Sequence, residues 1–255
     1  MRPVWLAFGA VTTVLILGFF TVVTFEGFGH ARPPTEDKVR AIPFRGERLA
    51  VEAGEGVFNL NVVPGADGEI RLARTVEWSA DKPRVTEEWD GKKLSLAVAC
   101  DRPEDMDIRC QASYVLFVPV EVEMEASSTA GSLDLRDLFG DVRARSVSGE
   151  INMSSIGGDV WIRSGSGDVM GNNLRGGRAD AESGSGNIRL DFQEQPTNVK
   201  AVVRTEGAVE VNVHSGTYDV RVDGTTSKIR VKRDSGSPRK ITVDAPDSTV
   251  SVCCS

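Results

Sequence analysis

Three phrases decide how this chain folds: RSVSGEI at 145–151, IRSGSGDV at 162–169 and AESGSGNI at 181–188. In each, small polar residues lead to a glycine, one polar residue follows, and an aliphatic residue opens an alternating run. Working outward, the same phrase starts as GSLDL at Gly131, GEINM at Gly149, GDVMG at Gly167, GNIRL at Gly186 and GAVEV at Gly207. It returns in worn form as SKIRV at Ser227 and STVSV at Ser248. Successive starts lie 18, 18, 19, 21, 20 and 21 residues apart. A steady period of this length marks units that stack on their neighbours. Only between Gln193 and Glu206 does the register blur.

Each unit reads as two short strands. In the unit that begins at Gly149 they are EINM and DVWIRS. Side chains alternate faces along a strand, so Ile151, Met153, Val160 and Ile162 turn to one side and Asn152, Trp161 and Arg163 to the other. The equivalent inward positions are Leu133, Leu135, Val142, Ala144, Val169, Ala179, Ala181, Ile188, Leu190, Val209 and Val211. The last two units add Ile229 with Val231 and Val250 with Val252. One unit hides too little apolar surface to offset the entropy of ordering its backbone, so stability must accrue from unit to unit. Glycine suits the corners, and serines at 146, 148, 164, 166, 183 and 185 are small enough for narrow turns. The expected fold is therefore all-β: a single-stranded parallel β-solenoid over 127–255, with about two strands per rung.

The remaining chain reads as a base and an anchor. Residues 47–126 hold six alternating runs separated by Gly, Pro or Asp: RLAVEA, VFNLNVV, EIRLARTVEW, RVTEEW, KLSLAVA and YVLFVPVEVEM. They predict an antiparallel β module capping the solenoid, with Pro119 placing the last run at a sheet edge or breaking it, because proline cannot donate to a ladder. Trp78 and Trp89 read as core or lid residues. Residues 31–46, with Pro33, Pro34 and Pro43, read as an extended linker. Val4 to Phe25 carries no charge and is long enough to cross a bilayer as a helix, so residues 1–30 form the expected N-terminal membrane anchor. Arg2 before it and Glu26, Glu36 and Asp37 after it place the N-terminus inside and the rest outside the cell. A secretory signal cleaved near Ala31 is the rival; both readings export the domain.

Composition narrows the function. A net charge of −7 argues against a general nucleic-acid binder, which carries a basic footprint. Cys100 and Cys110 bracket a polar loop and are a candidate disulfide in an exported protein, while the pairing of Cys253 and Cys254 stays open. SGSGD at 164–168 resembles a calcium-binding repeat, but its Asp follows the glycine directly, and neighbouring units carry Glu150 and Asn187 there; ordinary turn polarity accounts for it, and no metal site is expected. No carboxylate pair, His–nucleophile pair or G-x-S-x-G elbow stands out, so no catalytic residue and no cofactor are expected. What remains is the outward face. Arg145, Trp161 and Arg163 share it, and Lys228, Arg230, Lys232 and Arg233 form a basic run with Arg239 and Lys240. These are the candidate surface-binding residues, fit for an anionic cell-envelope polymer or an envelope protein; a solvated face that discourages edge pairing is the plainer account of the basic run.

With the apolar N-terminus, the module ending in YVLFVPVEVEM and the SGE, SGD and SGN phrases in place, the chain resembles the bacterial putative-adhesin family of β-strand-repeat domains of unknown function. The resemblance spans about 45–252. It implies an exported, often membrane-anchored β-solenoid, linked in some members to envelope stress, with no catalytic residue known for the class. The function expected is thus a membrane-anchored interaction module. An envelope-stress regulator acting through a membrane partner and a polysaccharide-active β-helix enzyme are the alternatives.

Overall fold

The alternating runs become twenty strands in the computed structural model, which describes Leu17, Thr21 and residues 34–79, 81–99 and 110–254. Apart from Leu17 and Thr21, the expected membrane segment Val4 to Phe25 lies outside the described residues, as do Ala31 and Cys100. Among the described residues no helix is long and apolar enough to cross a membrane. Residues 1–34 and 35–255 are separate compact units, and every strand belongs to the second.

The strands are β1 (Thr35–Pro43), β2 (Arg48–Ala53), β3 (Val57–Pro64), β4 (Glu69–Trp78), β5 (Arg84–Trp89), β6 (Lys93–Ala99) and β7 (Cys110–Val118). The repeats supply β8 (Glu123–Ala130), β9 (Ser132–Arg136), β10 (Val142–Ser148), β11 (Ile151–Ser154), β12 (Val160–Ser166), β13 (Val169–Leu174), β14 (Arg178–Ser185) and β15 (Ile188–Phe192). The last are β16 (Asn198–Val203), β17 (Ala208–Val213), β18 (Thr217–Ile229), β19 (Lys232–Arg233) and β20 (Lys240–Cys254).

Two ladders of parallel pairs organise them. The first runs β6, β2, β8, β10, β12, β14, β16, then the front halves of β20 and β18. The second runs β7, β3, β9, β11, β13, β15, β17, then the back halves of β20 and β18. Equivalent residues align: Val142 with Val160, Val160 with Ala179, and Ala179 with Val199. The predicted column from Leu133 to Val211, with Val250 and Val252, is buried, and Trp78 and Trp89 pack partly buried against it.

The corners show why the phrase carries glycine. Gly149 and Gly167 adopt φ of +138° and +128°. A Cβ on Gly149 would sit 2.1 Å from the Gly131 carbonyl oxygen, and one on Gly167 would sit 2.3 Å from that of Gly149. Backbone from one corner fills the space a side chain of the next would use.

Three expectations are corrected. Residues 47–126 are not an antiparallel module. β2 and β3 already lie in the parallel ladders, with β6 and β7 beyond them; only β1–β4, β4–β7 and β5–β6 are antiparallel. The stretch assigned to the linker pairs over Thr35–Pro43 with the free side of β4, because an extended segment next to an unpaired edge satisfies that edge's donors. The last two units also exchange places: β20 lies between the β16–β17 pair and β18, so the Ser248 phrase precedes the Ser227 phrase in space. Both ends thus place a terminal segment of the repeat inside the stack and a neighbouring segment outside it. Pro119 does end β7, and its carbonyl accepts from Val122 N in the turn to β8.

At the outer end of β4 and β5 a buried ion pair ties the two ladders together. Arg74, with its side chain 5% exposed, lies 2.7 Å from both Glu87 and Glu36, and Lys82 also pairs with Glu36. The Tyr114 hydroxyl is buried beside it, and burial first of all pushes its ionisation well above the ordinary phenol value.

The corner contact predicts unequal costs for two substitutions. Gly68 has φ of +85° but open space around its Cβ position. Gly68→Ala should cost about 1 kcal/mol from backbone strain alone. Gly167→Ala, which adds the collision, should cost more than about 2 kcal/mol. Urea unfolding of the two variants measures this, and equal losses would contradict the stacked-corner account.

Candidate functional site

The first ladder turns every second side chain outward. Because Val142, Ala144, Val160, Ile162, Ala179 and Ala181 are buried, Arg143, Arg145, Trp161, Arg163, Asp180 and Glu182 share the opposite face. Parallel register aligns Arg143 with Trp161 and Asp180, and Arg145 with Arg163 and Glu182. Parallel pairing at separations of 18 and then 19 residues places these chemically different residues side by side.

Trp161 is the centre of the group. The Arg163 guanidinium carbon lies 4.1 Å from its ring centroid and that of Arg145 4.7 Å. Both distances are within cation–π range. The two arginines differ in what else holds them. Arg163 donates to the carbonyl oxygens of Ile162 and Asp180, lies 3.1 Å from the Asp180 carboxylate without hydrogen-bond alignment, and lies 3.6 Å from Glu182. Glu182 is shared with Arg204 of the next turn. Arg145 is exposed, and among the described residues no carboxylate lies within ion-pair distance of it. Stacking on the ring orients its guanidinium without neutralising it.

Two grooves flank this group. One, of about 420 Å³, is lined by Glu52, Ser127, Thr129, Arg145, Val147 and Arg163 among others; Val147 is 65% exposed. The other, of about 390 Å³, takes in Arg143, Asp159, Trp161, Arg178, Asp180 and Lys200. Below them on the same ladder Glu123 bridges Arg48 at 2.7 Å and Arg143 at 2.5 Å. The Arg48 hydrogen bond, then that of Arg143 and both charges, holds the Glu123 carboxyl below the ordinary carboxylate value.

The structure brings Arg145, Trp161 and Arg163 together and sets the basic run apart. Lys228 lies on β18 and Lys232 and Arg233 form β19, with Arg230 between. Four ladder steps separate β12 from β18, about 19 Å at normal strand spacing. Cys110 opens β7 and is disulfide-bonded; its expected partner Cys100 lies outside the described residues. Cys253 and Cys254 are free at the end of β20.

The corner acids are engaged by backbone. Asp168 Oδ1 accepts from Asn187 N at 2.8 Å, and Asn187 Oδ1 accepts from Ala208 N at 2.9 Å. At the opposite corner Asp141 accepts from Asp159 N and Asp159 from Arg178 N, each at 2.9 Å. Alternation along the strands gives no sign of these chains of bonds from one turn to the next. The recurring Gly-Asp at 140–141, 158–159 and 167–168 is their signal.

No protein-family model matches the chain and no curated protein matches it. Several solved structures are similar, three of which follow. A putative cell adhesion protein from Clostridium sporogenes ATCC 15579 is 11% identical, with a TM-score of 0.36 over 87% of this chain and all of its own. A putative adhesin from Bacteroides fragilis NCTC 9343 is 14% identical, with a TM-score of 0.47 over 88% of this chain and 99% of its own. A putative adhesin from Parabacteroides merdae ATCC 43184 is 13% identical, with a TM-score of 0.38 over 85% of this chain and 96% of its own. At these identities and scores the likeness carries no inference about what this chain binds.

Carboxylates held in their charged form make the fold sensitive to acid. Lys82, by its hydrogen bond first and then its charge, holds Glu36 below the ordinary value, as Arg48 holds Glu123. A depressed folded value adds stability above the unfolded one, near pH 4.3, and that stability is lost as pH falls through the folded value. Thermal melting should therefore be flat from about pH 7 to 5 and fall below about 4.3. Glu123→Gln should flatten that fall. A melting temperature unchanged down to about pH 3 would contradict the assignment.

Proposed function

We propose that the two ladders wind as a single-chain parallel β-solenoid, held outside the cell by a membrane anchor at Val4 to Phe25, whose Trp161 face binds an anionic envelope polymer. The module binds and does not catalyse. The observation that carries this reading is Arg145: exposed, stacked 4.7 Å from the Trp161 centroid, and without a carboxylate partner among the described residues. A guanidinium offers a planar fork of donors that matches a carboxylate or phosphate. Arg163 stands beside it in the same groove but is held by Asp180 and Glu182, so an anionic group there meets the Arg145 guanidinium while a sugar ring packs along Val147. The second groove, where Arg143, Arg178 and Lys200 stand among Asp141, Asp159 and Asp180, lies on the other side of Trp161, toward the N-terminal ends of the same strands. That spacing suits a repeating polymer better than a single small molecule.

Binding by the full chain in detergent micelles tests the reading, with polygalacturonate and poly(glycerol phosphate) as anionic probes and dextran as the neutral one. Calorimetry should show saturable binding of at least one anionic polymer, weakened by salt and reduced about tenfold or more by Arg145→Ala. Equal binding of dextran, or affinity indifferent to Arg145→Ala, would sink it. Protease added to intact cells should cut within 35–254; full protection there would contradict the exported placement.

A further inference from the structure

The stack ends in an open edge at β18. Among the described residues, Asp219–Ile229 pair with β20 on one side, and on the other β19 reaches only Thr217 and Tyr218. In a parallel ladder the N–H and C=O of one residue face the same neighbour, and successive residues alternate. Arg230 N donates to Val252 O at 2.8 Å, so Arg230 and Lys228 face β20 and Ile229 turns its backbone groups away. The core stops at the same place. Val220, Val222, Ile229 and Val231 are only partly buried, whereas Ile241, Val243, Val250 and Val252 one step inward are at most 1% exposed. The opposite end differs: there β1 and β5 lie antiparallel on β4 and β6, and the Arg74 ion pairs hold them.

The charges on this edge define what fits it. Within the stack, cations on the outward face meet acids across the ladder: Arg48 with Glu123, Arg163 with Glu182 and Arg189 with Glu210. Lys228 and Arg230 are exposed and unpaired with any carboxylate among the described residues, and Lys232 and Arg233 extend the same sign. A second copy added through this edge would set these cations against their own images, which disfavours it. An added strand bearing acids at alternate positions would continue both patterns. Its carboxylates would face Lys228 and Arg230, and its aliphatic residues would cover Ile229 and Val231.

We propose that Ser227–Lys232 of β18 and its exit is an acceptor edge for an extended segment of a partner protein in which acidic and aliphatic residues alternate. The segment adds as one more strand, bonding to the backbone of Ile229. This site is separate from the Trp161 face and does not depend on it.

Fluorescence anisotropy of a labelled peptide, VEVEVEV with blocked ends, against the full chain in micelles tests it, with VKVKVKV as the control. The Glu peptide should bind saturably and the Lys peptide should not. Lys228→Glu with Arg230→Glu should weaken the Glu peptide about tenfold or more and transfer binding to the Lys peptide. Ile229→Pro removes an edge donor but no bond to β20. It should weaken binding as much while keeping cooperative unfolding. The proposal is overturned by absent saturable binding to the wild-type chain, by affinity that survives the charge reversal, or by cross-linking that shows the edge filled by a second copy. Binding to phosphatidylglycerol vesicles with none to the peptide would likewise overturn it in favour of a lipid surface.

Discussion

At the glycine that opens each of five successive units, a carbonyl oxygen of the preceding turn occupies the position a β-carbon would need. The Gly131, Gly149, Gly167, Gly186 and Gly207 column is the clearest case, with gaps of 2.1 to 2.6 Å from each built Cβ to the oxygen before it. Once the corners touch in this way, adjacent strands are set at pairing distance and in register. Val142 must then meet Val160, and Arg145 must meet Arg163. The buried aliphatic column and the outward rows of charge both follow from that one contact. So does the mixed composition of the outward face, where alternation fixes which residues face out but leaves their chemistry free.

A stack built by repetition has a problem at each end, since the last turn leaves an edge unpaired and its core half covered. This chain answers it differently at its two ends. At one, β1, β4 and β5 abandon the parallel pattern and close the ladders with antiparallel strands and the buried Arg74, Glu36 and Glu87 group. At the other, β20 is enclosed between β16–β17 and β18, and β18 remains open. The two proposed binding surfaces are the places where, among the described residues, the repeat leaves something unfinished: Arg145 without an acid opposite it, and β18 without a strand on its outer side beyond Tyr218.

How much of this was legible depended on whether local pattern or long-range pairing decided it. The strands and the buried column follow from alternation, and the structure agrees except at Ile229 and Val231, which are only partly buried; of the edge or break that proline chemistry allows at Pro119, the structure shows the break. The grouping of Arg145, Trp161 and Arg163 on one face was readable for the same reason, because a period of 18 residues maps 145 onto 163. Even the blurred stretch after Gln193 keeps its place as β16, since Val199, Ala201 and Val203 alternate into the core. What escaped was the order of the strands. β2 pairing with β8 across some 75 positions, and β20 passing inside β18, leave no trace in local periodicity, because a parallel neighbour satisfies the same donors whichever segment supplies it. Thr35–Pro43 escaped likewise: only Ile42 of its alternating residues is buried, so its strand character comes from β4 rather than from its own pattern.

The central claim is that corner contact builds a stack in which the C-terminal strand lies inside. Native-state amide hydrogen exchange tests this directly, because protection follows pairing on both sides and falls at edges. The account predicts that amides of Ile241–Val243 and Val250–Val252 in β20 exchange as slowly as those of β16 and β17, and more slowly than those of Asp219–Ile229 in β18. Fast exchange of β20 with slow exchange of β18, the order expected of turns added in sequence, would contradict it.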